Sequence, residues 1–485
     1  MPAAPAVTLC RTRTVAAATA LVSLASVLFF YYRGELLQFG DAEAHLNIAR
    51  RILDSPDPGI NQIGTVWLPL PHLLMLPFAA VTRGWQLGFA GSIASPVCFI
   101  ASAMLFFRSL RLLFGAVAAA AGTAVLVLNP NALYLQAIPM TEPVFLAALC
   151  GLFYCTLTGR PTAAGLCAAA AAWTRYDGWF LLPFCSLFFL RANGWRAALR
   201  FSLVAGAAPL LWFAHNRWQF GDALDFYRGP YSARAIQGDH YYPGRHDWTT
   251  AIHYFFTAVR LVNGWPLVLI GAPGIALALL RRTWWPVLLL SLPPVFYLWS
   301  MHSSGVPIFV PSLWPHGWYN TRYALSALPL LALGVAALVS AGRNSRGVAV
   351  AIVALCLVPW IVRPSPENWI TWKESQVNSR ARRTGAKKVY LYLRARLGPR
   401  DTVFTEFNDL TEIYRHLGLP LRRTVTGDDG PLWWGPVMRP DLFLRDPWVV
   451  CFAGDIVDHV ARRAGYTPEL LIPVEEGKVI RVYHR

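Results

Sequence analysis

The sequence predicts an all-α polytopic membrane domain of about eleven transmembrane helices, followed by a small C-terminal extracytoplasmic α/β domain. Three observations predict this. Charged residues make up only 14% of the 485, and the mean hydropathy is +0.40, too apolar for an ordinary soluble chain. The apolar residues fall in repeated blocks separated by Arg-bearing turns. Ala-rich blocks such as 116–122 do not alternate, which excludes a barrel; helices are the remaining backbone that satisfies its own hydrogen bonds in lipid.

The first block, Thr14–Tyr32, follows Arg11 and Arg13. It is long for a signal-peptide core and no A-x-A site follows, so it is expected to stay as the first span. Further apolar blocks lie at about 88–107, 115–128, 144–157, 162–173, 178–190, 201–214, 266–280, 284–301, 323–340 and 348–362. Several fall short of the roughly 20 residues a perpendicular span needs.

The arginines set the orientation. With the N-terminus cytoplasmic, the cytoplasmic connections carry Arg108 and Arg111, Arg160, Arg191 with Arg196 and Arg200, Arg281 and Arg282, then Arg343 and Arg346. Each is short and basic with no acid, as the positive-inside rule asks. An odd number of spans puts the C-terminus outside, in a cytoplasmic membrane. The short pair 162–173 and 178–190 is the weak point, because a single kinked helix there would invert everything after it.

The net charge of +17 sits largely in these turns. No basic stripe with interleaved aromatics is present, so nucleic acid is not an expected partner. Most of the eight cysteines lie inside apolar blocks, where they read as small hydrophobes. Domain boundaries are expected at 1–363 for the membrane domain and 364–485 for the α/β domain. Outside loops are expected at 33–87 and 215–265. Strand-like runs in the tail are Val389-Tyr-Leu-Tyr-Leu, Thr402-Val-Phe-Thr, Trp448-Val-Val-Cys-Phe and Lys478-Val-Ile-Arg-Val-Tyr.

Candidate chemistry gathers at the outer ends of spans. Asp41, Glu43 and His45 stand within five residues just after the first span. Ala42, Leu46, Ala49 and Leu53 recur at helical spacing, which predicts a helix lying on the membrane surface. Asp41 is either a helix N-cap or a catalytic carboxylate, with His45 one turn on. His45 is a partner of Asp41, a metal ligand or an interfacial histidine; a divalent metal shared by Asp41, Glu43 and His45 stays open. Glu142 begins a span before Pro143, where Glu also favours the helix dipole. Arg175, beside Asp177, and Arg322 lie at outer span ends, where the positive-inside rule does not want them. They either snorkel or bind an anion such as a lipid phosphate through bidentate bonds. Aromatic loops bearing Tyr241, Tyr242, Trp314, Trp318 and Tyr319 suit the C–H faces of a sugar.

At these residues the chain resembles the type C glycosyltransferases, in particular the dolichyl-phosphate-mannose protein mannosyltransferase-like group that includes lipid A aminoarabinose transferases. The resemblance rests on Gly40-Asp41-x-Glu43, Trp67-x-Pro69-x-Pro71, Arg111-Leu-Leu-Phe-Gly115, Asn129-Pro130, Thr141-Glu142-Pro143, Thr174-Arg175 and Asn320-Thr-Arg322-Tyr323. It implies a polyprenyl-phosphate sugar donor drawn from the membrane lipid, a glycan, lipid or protein acceptor on the outer face, and an inverting displacement. It further implies Asp41 as base, Glu142 as a second acidic group, and Arg175 and Arg322 as phosphate contacts. Competing readings are a glycan ligase using a lipid diphosphate and a non-enzymatic lipid or glycan transporter; the near absence of mid-span charges and of repeats lowers the latter.

Overall fold

The computed structural model describes residues 5–342, 345–363, 365, 367–408, 410–474 and 477–485. Arg343 of the expected cytoplasmic turns lies outside them, as do the side chains of residues 5–11, Cys10 and Arg11 among them. The chain divides into two compact units, each built from separate segments. The first comprises Met1–Arg33, Thr65–Pro71 and Ala94–Glu374; the second comprises Gly34–Gly64, His72–Ile93 and Ser375–Arg485. The expected boundary after residue 363 falls inside the last segment of the first unit. Most of the expected first outside loop belongs with the C-terminal residues, because its helix buries itself among them.

The first unit is helical. Among the described residues, five helices are long and apolar enough to cross a membrane: Thr12–Tyr32, Gly91–Phe114, Trp195–Phe220, Trp284–Ser303 and Thr321–Ala341. Two bent pairs raise the number to at most seven. Ala116–Val127 and Pro130–Ala137 meet at 63°, and Trp248–Asn263 and Trp265–Leu280 at 109°. The expected eleven are not reached by length and apolarity, because blocks such as Glu142–Leu157 and Pro161–Ala172 form shorter helices. The latter ends before a separate helix, Asp177–Asn193, so the short pair is not one kinked helix. Arg108, Arg111, Arg160, Arg191, Arg196, Arg200, Arg281, Arg282 and Arg346 all lie at or near helix ends.

The expected outside loop 215–265 is largely helical instead. Ala251, Tyr254, Phe255, Ala258 and Val262 are buried at spacings of three and four, which gives the helix Trp248–Asn263 a face to pack.

Both bent pairs break at recognisable residues. Asn129 caps the second half-helix by accepting from the amides of Asn131 and Ala132, and Pro130 starts it. The other break holds Gly264 at φ +83°, a conformation glycine adopts without strain. The amides of Asn129 and Asn131 both donate to the Val262 carbonyl, at 3.1 and 2.9 Å. Asn263 donates to the Ala324 carbonyl at 3.0 Å. The two breaks are thereby tied to each other and to the 3-10 turn Thr321–Ala327. Nearby, Trp265–Leu280 and Leu328–Ala341 cross at glycine: a Cβ on Gly274 would lie 1.9 Å from the Gly334 carbonyl oxygen. Small residues at such crossings let two backbones touch.

The second unit carries a five-stranded sheet in the order β2-β1-β3-β5-β4. The strands are β1 Val403–Thr405, β2 Thr424–Val425, β3 Trp448–Phe452, β4 Thr467–Pro473 and β5 Val479–His484. β1 runs parallel to β2 and β3; β5 is antiparallel to β3 and β4. Phe404, Val449, Cys451 and Tyr483 form its core with Trp433, Leu444 and Val457. Three of the strand-like runs thus lie on β1, β3 and β5. The fourth, Val389–Leu393, is helical within Ile370–Arg394. Ala386, Val389 and Leu393 are buried at spacings of three and four, and that period overrides local β propensity.

The helix Gly40–Asp54 is buried on most faces rather than laid on a membrane surface. Ala42, Leu46 and Ala49 are fully enclosed, while Leu53 is 48% exposed. Its polar residues are enclosed because partners meet them. Arg50 pairs with Asp54 at 2.8 Å, and Arg51 with Asp428 at 2.8 Å. Asn47 accepts from the Trp85 indole at 2.8 Å.

The same unit buries Glu412, 3% exposed, against Arg382 at 2.7 Å and His416 at 3.1 Å. Burial alone would raise its carboxyl, but His416, Arg382 and Arg415 outweigh burial and bring it down to about 2. A depressed carboxyl stabilises the fold fully above its unfolded value, and the contribution is lost as pH falls through the folded value. Unfolding temperature is therefore expected to be insensitive to Glu412 above about pH 5 and to fall progressively toward pH 2. Glu412→Gln should flatten that part of the profile.

Candidate functional site

A concentration of buried charge in the first unit lies where three chain breaks meet. Glu142 opens the helix Glu142–Leu157, with Pro143 in its first turn. Arg175 sits in the turn before Asp177–Asn193. That turn is tight: a Cβ on Gly178 would lie 2.4 Å from the backbone of Ala171. Arg322 follows Asn320, a non-glycine residue at φ +55°.

These three side chains come together. Arg175 Nη1 donates to Glu142 Oε1 at 2.9 Å and to Thr141 Oγ1 at 2.5 Å. Arg175 Nε and Nη2 both donate to the Tyr297 hydroxyl, at 3.0 and 2.5 Å. With its lone pairs so occupied, Tyr297 donates its own proton to Asp177 Oδ2 at 3.1 Å. Arg322 Nε lies 3.2 Å from the same Glu142 Oε1. Tyr297 and Tyr323 stack at 4.6 Å, and Arg175 lies 5.3 Å from the Tyr323 ring centroid, within cation–π range. Two guanidiniums thus stand against two carboxylates. Glu142 Oε2 and Asp177 Oδ1 receive no hydrogen bond from the described residues.

This cluster ends a cavity of about 50 Å3. Glu142, Arg175, Asp177, Tyr297 and Arg322 line its polar end; Phe99, Leu135, Phe145, Leu149, Leu325 and Leu328 line its apolar wall. The combination suits an amphiphile with an anionic head. Arg is suited to such a head because its fork makes charge-assisted bonds to phosphate oxygens.

Sequence patterns alone did not single out Tyr297 or Glu374, and gave Thr141 no role beyond its place in the Thr141-Glu142-Pro143 motif. Glu374, 1% exposed, accepts from the Asn320 and Thr321 amides, both at 2.9 Å, and from the Thr321 hydroxyl at 2.5 Å. It therefore anchors the residues just before Arg322. The one signal the sequence offers for Tyr297 is faint: a phenol inside an apolar block needs a partner when buried.

The other expected residues lie elsewhere. Tyr319 is 44% exposed; its backbone pairs with Phe309 in both directions, at 3.0 and 3.2 Å, and it does not line the cavity. Asp41, Glu43 and His45 belong to the second unit. Phe39 is the N-cap residue of their helix, so Asp41 stands inside the first turn rather than at the cap. Glu43 is committed within its own unit and does not present itself to a ligand. It accepts from Arg415 Nε at 2.7 and 3.0 Å and from Asn47 at 2.9 Å. His45 Nδ1 lies 3.0 Å from His72 Nε2, both rings buried. Among the described residues no three His, Cys, Asp or Glu side chains gather as a metal-holding group. The trio offered as metal ligands is not such a group, because Glu43 turns to Arg415.

No protein-family profile matches the chain, and no curated protein sequence matches it. Solved structures do. ArnT from Cupriavidus metallidurans bound to undecaprenyl phosphate superposes with a TM-score of 0.58 at 13% identity, over 95% of this chain and 97% of that one. ArnT in the apo state gives 0.56 at 14% identity, with the same coverage. An oligosaccharyltransferase from Archaeoglobus fulgidus gives 0.47 at 11% identity, over 90% of this chain and 67% of that one. At this similarity to ArnT, a type C glycosyltransferase, the chain is an integral membrane protein with the type C glycosyltransferase fold.

Proposed function

We propose that the chain is a membrane glycosyltransferase. It moves a sugar from a polyprenyl-phosphate donor to a hydroxyl-bearing acceptor on the outer face of the cytoplasmic membrane, with inversion. The observation that carries this reading is the cavity with an apolar wall and two arginines at its end. The wall matches an isoprenoid chain in polarity, and the arginines match a phosphate in charge. The undecaprenyl phosphate bound by ArnT supports the same chemical class.

In the reaction, the sugar C1–O bond to phosphate breaks and its electron pair goes to the phosphate oxygen. The acceptor oxygen forms the new bond to C1 and its proton goes to Asp41. Arg175 and Arg322 stabilise the charge growing on the phosphate; each charge-assisted bond contributes about 1.5–3 kcal/mol. Glu43 is spent on Arg415 and Asn47, so the base role is assigned to Asp41. The cluster holds two arginines already facing Glu142 and Asp177, so a lipid diphosphate, with more charge to meet than a monophosphate, is the harder of the two to seat. That balance favours the monophosphate over the ligase reading. The basic helix ends favour a cytoplasmic N-terminus and an outer C-terminal α/β part.

Binding tests this reading. Purified protein in detergent is expected to gain thermal stability saturably with undecaprenyl phosphate and not with undecaprenol. Arg322→Ala is expected to weaken the phosphate lipid by about tenfold or more, one charge-assisted bond's worth. Equal stabilisation by the phosphate lipid and the alcohol would end the proposal.

A further inference from the structure

We infer that Glu142 occupies the seat of the lipid phosphate, so that binding of the donor displaces its carboxylate from Arg175 and Arg322. The inference rests on the reading above, that the cavity takes a phosphate-bearing lipid.

One oxygen of Glu142 sits between the two cations, 2.9 Å from Arg175 Nη1 and 3.2 Å from Arg322 Nε. These are the edges a phosphate would use. The rest of Arg175 is held without Glu142: Nε and Nη2 are on Tyr297, and Nη1 also donates to Thr141. The carboxylate can therefore leave while the guanidinium keeps its place. Arg322 is likewise held from behind, since Glu374 fixes the two residues before it. The second oxygen of Glu142 accepts no hydrogen bond from the described residues, so displacement breaks nothing further. Glu142 is also the first residue of its helix, where a side-chain rotation leaves the helical hydrogen bonds intact.

An internal carboxylate in the seat filters ligands by charge. The donor's phosphodiester carries one charge, as a carboxylate does, but it offers more acceptor oxygens, and the released monoester adds charge as well, so the phosphate can win the exchange. A fatty acid offers the arginines only what Glu142 already gives them. The device weakens every anion but weakens carboxylate amphiphiles most.

Dissociation constants for undecaprenyl phosphate, inorganic phosphate and oleate would be measured on the wild type, Glu142→Gln and Glu142→Asp. Both variants withdraw the competing charge, one by removing it and one by shortening its reach. Undecaprenyl phosphate is expected to bind each variant about tenfold tighter, the scale on which a like charge at contact acts. Oleate, weak on the wild type, is expected to gain more. A variant that keeps the wild-type melting temperature yet binds the lipid no better, or worse, overturns the inference. Inorganic phosphate binding as tightly as the lipid overturns the lipid as occupant. Failure of the wild type to bind undecaprenyl phosphate at all overturns the functional reading instead, so the two failures are distinguishable.

Discussion

Arg175→Met is expected to lower the stability of the membrane unit by about 3–5 kcal/mol and to abolish binding of a phosphate lipid. The size follows from what the guanidinium holds. It is 14% exposed and serves Glu142, Asp177, Tyr297 and Thr141 at once. Methionine fills much of the volume but leaves Asp177, 2% exposed, without its cation. Breaking a buried pair from one side costs more than the pair is worth, because the remaining charge stays desolvated. Arg175→Lys should recover part of the stability and little of the binding. Lysine supplies the charge but not the fork that reaches Tyr297 and Glu142 together. Thermal unfolding and undecaprenyl phosphate titration, run on the same samples, check both halves.

Asp41→Asn is expected to leave folding intact and to reduce sugar transfer by about 10²–10⁴-fold, the range of general-base assistance. Asparagine has the same shape and remains acceptable in the first turn of a helix, but it does not take the acceptor's proton. The neighbouring Glu43→Gln gives the contrast. Its partner Arg415 is buried beside it at 2.7 Å, so that substitution acts on the fold and lowers the melting temperature. Activity that falls in Asp41→Asn at unchanged melting temperature separates chemistry from structure. Equal transfer by Asp41→Asn and wild type would remove the base assignment.

Part of this arrangement is legible in the chain itself. Thr141-Glu142-Pro143, Thr174-Arg175 and Asn320-Thr-Arg322 each put a charged group at a helix start, where charge at membrane depth needs a reason. The structure brings all three into contact. What stays hidden in the sequence is mostly long-range. Arg415 lies 372 positions from Glu43, and no local pattern announces that the motif's second acid is a structural ion pair. Glu374 lies beyond the expected domain boundary, yet it holds the turn that carries Arg322. The first loop read as a membrane-surface helix because its apolar residues recur at the right spacing. The same spacing serves a helix buried among sheet and loops, and only the partners of Arg50, Arg51 and Asn47 distinguish the two. Helix breaks at Asn129 and Gly264 are likewise visible as punctuation, but their mutual contact through Val262 is not.

The donor proposed for this chain is a polyprenyl-phosphate sugar. The most direct measurement is donor turnover by the purified protein across a panel of such sugars, with a hydroxyl-bearing acceptor and with and without chelator, following release of polyprenyl phosphate. Release from at least one donor is expected for the wild type, with little or none for Asp41→Asn. No release from any donor by the wild type, or undiminished release by Asp41→Asn, would contradict the proposal.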